Sequence, residues 1–128
     1  MVNPALLSVF QNAAPPQKAV MFLLVAAIPI TAAAAICALS ANRDHVFWTR
    51  VVTHLGMAGP ALGLLVGGLD SFHIADTVRR LPYDPTLKQV APGIFEVSTL
   101  VSLGAAVGLV ALIAYATVSI LLPRQTAR

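Results

Sequence analysis

One carboxylate and three hydroxyls are the residues most able to do chemistry in this 128-residue chain. Glu96, Thr99, Ser102 and Thr117 fall within about a third of a helix's circumference at 100° per residue. They lie in Ile94–Leu122, a stretch whose only charge is Glu96. An acid in such surroundings is a functional-site hypothesis by default, and a polar stripe there usually faces a bundle interior or a wet cavity through which ions pass. A plainer role for Glu96 competes with that one. It follows Pro92 by four residues, so a helix starting at that proline places Glu96 in its first turn. There it accepts bonds from free amides and meets the positive end of the helix dipole. The hydroxyls can likewise bond back to the preceding turn.

Other chemistry is hard to assemble. His45, His54 and His73 are far apart, and the single Cys37 has no base near it in sequence. There is no phosphate-binding Gly-Lys-Ser/Thr loop and no two-histidine metal spacing. The chain is therefore not read as an enzyme, and neither a metal nor a cofactor is expected. A lone cysteine in an apolar run is usually a small hydrophobe.

The elements that position these residues are apolar. Ala19–Ala41 carries no charge, Val51–Leu69 carries none, and Ile94–Leu122 carries one. A bilayer core about 30 Å thick needs roughly 20 helical residues. Hydrophobic residues make up 58% of the chain and charged residues 10%, against about 25% charged in an ordinary soluble domain. So little charge cannot solubilise so much Leu, Ala and Val. The expected fold is all-α: a single three-span membrane domain over residues 1–128, with spans near 19–41, 51–69 and 94–122. A short interfacial helix over Pro4–Phe10, broken at Pro15-Pro16, is expected ahead of the first span. That span is longer than the apolar core of a signal peptide, about 7–15 residues, so it is read as retained. The net charge of +3 is scattered at span ends and suits lipid headgroups; no basic run or aromatic platform points to nucleic acid.

Lys18, Trp48, Arg50 and Arg124 read as interfacial anchors. Lys18, Arg79, Arg80 and Lys88 fall on one side of the membrane and Arg43, Arg50, Arg124 and Arg128 on the other, so counting positive charges does not orient the chain. Gly59, Gly63 and Gly67 repeat at four-residue spacing, and Gly104 and Gly108 do the same in the third span. This small-xxx-small pattern makes a smooth groove where a second backbone approaches closely, either within one subunit or between subunits.

Two segments carry a family resemblance. Leu6-Leu7-Ser8-Val9-Phe10-Gln11-Asn12-Ala13, followed by Gln17-Lys18-Ala19-Val20-Met21, resembles the entry to the first span of the MotA/TolQ/ExbB proton-channel family. Asp84-Pro85 and Val90-Ala91-Pro92-Gly93-Ile94-Phe95-Glu96, then Gly104 and Gly108-Leu109-Val110-Ala111, resemble the entry to its third span, where the pattern runs Pro-Gly-Ile-x-Glu and then Gly-Leu-Val-Ala. Gly59-Pro60-Ala61-Leu62-Gly63-Leu64-Leu65 with Ser71-Phe72 is loosely similar to its second span. The resemblance implies a periplasmic N-terminus, a bacterial inner-membrane location, spans two and three around a central pore, and a homo-oligomer surrounding a single-span partner of the ExbD/TolR type.

The departures are specific. The family's large cytoplasmic insertion between the first two spans shrinks to Asn42–Arg50. The hydroxyl that follows the family's third-span Glu falls on Val101 or, aligned on Gly108, on Ala105. Gly108 comes one turn late, and no threonine follows Leu65. Three readings stay open. The first is a TolQ/ExbB-like subunit coupled to proton-motive force. The second is a non-conducting structural or accessory subunit of a larger membrane complex. The third is a holin-like pore former, which would lyse cells on expression alone.

Overall fold

The computed structural model describes Pro4, Gln11, residues 14–40 and residues 44–126, with side chains to residue 122. Three helices account for nearly all of this: α1 (Pro15–Ser40), α2 (His45–Arg80) and α3 (Leu87–Thr126). Each is long and apolar enough to cross a membrane. The interfacial helix expected over Pro4–Phe10 falls, but for Pro4, outside the described residues, as does the side chain of Arg124.

Helix α1 opens with Pro15 and Pro16 in its first turn, where the missing N–H groups would have no helical partner anyway. Helices α2 and α3 overrun the expected spans. They hold 36 and 40 residues, about 54 and 60 Å at 1.5 Å per residue. The gap that the expected spans leave between residues 69 and 94 is therefore corrected to residues 81–86. Residues 70–80, beyond the expected span 51–69, are rich in charge, yet Ile74 and Val78 keep an apolar stripe through them at helical spacing. Leu81 ends α2 because Pro82 follows it. It is extended at φ −72°, ψ 138°, as the residue before a proline prefers.

Helix α3 starts earlier than its proline suggests, for a local reason. The Thr86 amide donates to Gln89 Oε1 at 2.9 Å, and the Gln89 amide donates to Thr86 O at 2.9 Å. This is the side-chain half of a capping box, Thr-x-x-Gln, which fixes the helix start at Leu87. Pro92 and Gly93 then lie inside the helix. Gln89→Ala should lower the unfolding free energy by about 1 kcal/mol or less, measurable as a small fall in thermal midpoint in detergent.

The buried seam has a coiled-coil rhythm. Helix α3 buries Leu100, Gly104, Val107, Ala111, Ala114 and Val118, alternating steps of four and three. Such a row keeps one face turned to its neighbours along a left-handed supercoil. Opposite it, α2 buries Val52, Gly59, Gly63 and Gly67. Helix α1 lies along both, with Met21 at Leu100, Leu24 and Ala27 at Val107, and Ala34 at Val52 and Ala111. The outward faces carry Phe22, Ile30, Leu64, Leu65, Leu109, Leu112 and Ile113, all more than half exposed. Water would not tolerate that surface; lipid chains do.

Candidate functional site: a polar cluster at the membrane edge

The glycine rows meet each other inside one chain. A Cβ built on Gly63 would lie 2.7 Å from Leu100 O and 3.0 Å from Gly104 Cα, and one on Gly104 would lie 2.7 Å from Gly59 O. Gly59 faces Val107, Gly67 faces Val101, and Gly108 faces the Pro60 ring. Of the two uses open to these glycines, the geometry assigns packing of α2 on α3 within the subunit. Without a hydrophobic force between helices in lipid, such close backbone contact and its dispersion energy hold the pair together.

This antiparallel register brings three polar side chains to one level. Gln17 on α1 donates from Nε2 to Asp70 Oδ1 on α2 at 2.7 Å. Glu96 on α3 lies within electrostatic reach of Asp70. Among the described residues, the Gln17–Asp70 bond is the one side-chain hydrogen bond that joins two helices; the rest are local. Gln17 Oε1, Asp70 Oδ2 and Glu96 Oε1 are buried and accept no hydrogen bond among the described residues. Around the Gln17–Asp70 bond and on the neighbouring turn of α3 there are thus more acceptors than donors, at a place where unmet polar groups are costly.

Their depth follows from helix geometry. Asp70 is 20 residues from Arg50 along α2, about 30 Å, which matches the thickness of a bilayer's hydrocarbon core. With Arg50 at one headgroup boundary, Gln17, Asp70 and Glu96 form a collar at the other. Beyond the collar, the ends of α2 and α3 continue as a pair sealed by Ile74 over Gly93, where an added Cβ would lie 2.7 Å from Ile74 Cδ1. The Asp76–Arg80 ion pair on that extension, 2.9 Å and largely exposed, contributes little.

The sequence-derived stripe is only partly kept together. Glu96 joins the cluster, but not as a cap. It is the tenth residue of α3, too far from the first-turn amides to bond them, and its Oε1 meets no donor. The capping role expected from Pro92 is corrected on that ground. Thr99 and Thr117 donate to Phe95 O and Ile113 O. Ser102 and Thr117 are exposed on the outer face. The stripe does not line the chain's own interior, because the heptad row that starts at Leu100 takes that place. Trp48 lies in the first turn of α2, edge-on to Phe47, and packs with Val51 against the Ala34–Val52–Ala111–Ala114 cluster. Lys18 stands one residue from Gln17 at the collar, half-buried.

Gln17 and Asp70 were missed as site residues. The signal was present for Asp70. It stands three residues after Gly67 and seven after Gly63, so it continues the glycine face that packs on α3. Glu96 in turn stands one turn before Leu100 on the row α3 buries. Gln17 had no comparable signal, since its partner is 53 residues away.

Comparison with family models, curated proteins and solved structures yields no match. The fold and the cluster therefore carry the functional argument by themselves.

Proposed function

We propose that this chain is a subunit of an oligomeric bacterial inner-membrane assembly of the TolQ/ExbB kind, in which Asp70 and Glu96 exchange protons at the membrane edge during proton-motive-force-driven work. The observation that carries this reading is the pair of carboxyl groups, from two helices, brought together with buried oxygens that lack donors. A helix bundle needs no such pair to hold itself together, and acids at this depth are expensive enough to mark ion pathways. A proton arriving on either carboxyl turns an acceptor into a donor, which satisfies one orphaned oxygen and leaves again when the proton moves on.

The route beyond the pair lies between chains. The glycine contacts close the α2–α3 seam from Gly56 to Gly67, which leaves no room for ions between these two helices. The outer face of α3, where Ser102 and Thr117 are exposed, is the side that a second copy or a single-span ExbD/TolR-like partner would cover. Purification in mild detergent should give an assembly larger than one chain. Recovery of single chains alone would remove this reading.

A second reading is favoured by one feature. Val101 and Ala105, about one and a half and two and a half turns beyond Glu96, supply no hydroxyl, which suits a non-conducting accessory subunit. Proton flux into vesicles holding the purified assembly separates the two.

The resemblance also orients the chain, with its N-terminus and the α2–α3 connection periplasmic. In a Cys37→Ala background, Val2→Cys should react with an impermeant thiol reagent in spheroplasts, and Thr126→Cys should not. The opposite labelling pattern would reverse the orientation.

A further inference from the structure

At the end of the bundle opposite the polar cluster, α2 and α3 enclose an open cleft of about 290 Å³. Gly56, Gly108 and Ala111 make its floor and Leu112 a wall. The floor is low because none of the three carries more than a methyl group. Thr53 and Tyr115 line this cleft and also a second one, of about 260 Å³, which holds His45, Arg50 and Ser119. The two form one continuous groove. Its apolar half lies inward of Arg50 by about 9 Å, the rise from Arg50 to Gly56. Its polar half lies where the membrane boundary falls.

The donors at the polar half select an anion. Arg50 is exposed, and no described Asp or Glu pairs with it. The Thr49 and Thr53 hydroxyls already donate to His45 O and Thr49 O at 2.7 and 2.9 Å. The Arg50 guanidinium, the Tyr115 phenol, the Ser119 hydroxyl and the His45 ring are the groups left to bind a ligand; with the guanidinium the one charged group among them, they call for an acceptor-rich partner. The wider field agrees. In the sequence, Arg43, Arg50, Arg124 and Arg128 flank the spans on this side against Asp44 alone, whereas Lys18, Arg79, Arg80 and Lys88 flank them on the other with Asp70, Asp76, Asp84 and Glu96. Positive charges tie between the two ends, but net charge does not. By this side-chain count the Arg50 side is the one that favours anionic headgroups.

We infer that this groove binds one anionic phospholipid, with its phosphate at Arg50 and Tyr115 and part of an acyl chain on the Gly56–Gly108–Ala111 floor. The apolar cleft is near the lower bound of about 300 Å³ for small-molecule pockets, which suits a length of single chain and not a whole lipid. A free phosphate would leave that floor unused. A helix from a second copy could bring only Asp44 to the level of Arg50, because the chain's other acids lie at the far end.

The test uses the full chain, reconstituted with equal phosphatidylglycerol and phosphatidylcholine of matched acyl chains, then extracted and weighed by native mass spectrometry. Wild type should retain phosphatidylglycerol in clear excess. Arg50→Gln should lower that excess about tenfold, the size expected for one lost charge-assisted hydrogen bond. Thr53→Trp, at an exposed position over the floor, should remove the retained lipid altogether. Arg80→Gln, an equally exposed charge change at the other end, should leave retention unchanged, and millimolar glycerol phosphate should not displace the lipid. The proposal is overturned if Arg50→Gln keeps the preference or if Arg80→Gln lowers it equally. It is also overturned if glycerol phosphate displaces the lipid, or if Thr53→Cys cross-links two copies in the membrane.

Discussion

Gly63→Leu is expected to abolish recovery of the folded chain, while Leu64→Gly one residue away leaves it nearly intact. The difference comes from what each side chain faces. A first side-chain carbon at Gly63 would lie 2.7 Å from the Leu100 carbonyl and 3.0 Å from the Gly104 Cα. Both are backbone atoms of α3, so no side-chain rotation relieves the clash, and the helices must separate. Overpacking an ordinary core costs about 1–3 kcal/mol; separating two backbones also forfeits the dispersion contacts along the seam. Leu64 is 62% exposed and faces outward, so its loss removes contacts with lipid or a neighbouring chain. Gel filtration and circular-dichroism melting in detergent would compare the two. Equal behaviour would mean that the α2–α3 contact at Gly63 does not hold the subunit together.

Glu96→Gln is expected to leave the assembly intact and to lower proton movement roughly a hundredfold, the lower end of what a positioned acid–base group contributes. Gln has nearly the same shape, and its amide can donate to an oxygen such as Asp70 Oδ2 that has no donor now. Packing at the collar is therefore preserved or firmer. What is lost is a group that can give up and regain a proton. Had Glu96 been a first-turn cap, Gln would have substituted for it without loss of activity, and the placement of Glu96 in the third turn of α3 removes that expectation. Asp70→Asn should act in the same direction. It should also loosen α1, since an amide in place of the carboxylate weakens the charge-assisted bond from Gln17.

The helices were legible because lipid demands a crude signal: length and apolarity alone. Their ends were not, because those depend on particular local bonds. The start of α3 depends on the Thr86–Gln89 pair, and the end of α2 on Pro82 after Leu81. Reading Pro92 as a helix start, when it lies inside one, misplaced Glu96 by more than a turn and gave it the wrong role. The glycine rows were legible as packing surfaces, but their partner was not. Spacing along one helix does not say which helix lies across from it. The polar cluster was half legible. Glu96 was conspicuous as the only charge in its stretch, whereas Asp70 lay just past the end of one apolar stretch and Gln17 just before the start of another. Only the antiparallel register of α2 on α3, with α1 laid along them, puts the three side chains at one depth.

In the proposed function the carboxyl pair at the membrane edge passes protons in the assembled complex. The most direct test is proton uptake by vesicles containing the complex as purified in mild detergent, driven by a potassium diffusion potential and followed with an entrapped pH dye. Wild-type complex should acidify the vesicle lumen at a rate that follows the imposed potential, and Glu96→Gln complex of the same subunit composition should stay near the rate of empty vesicles. Equal uptake by the two complexes, or none by wild type with its full complement of subunits, would contradict that function.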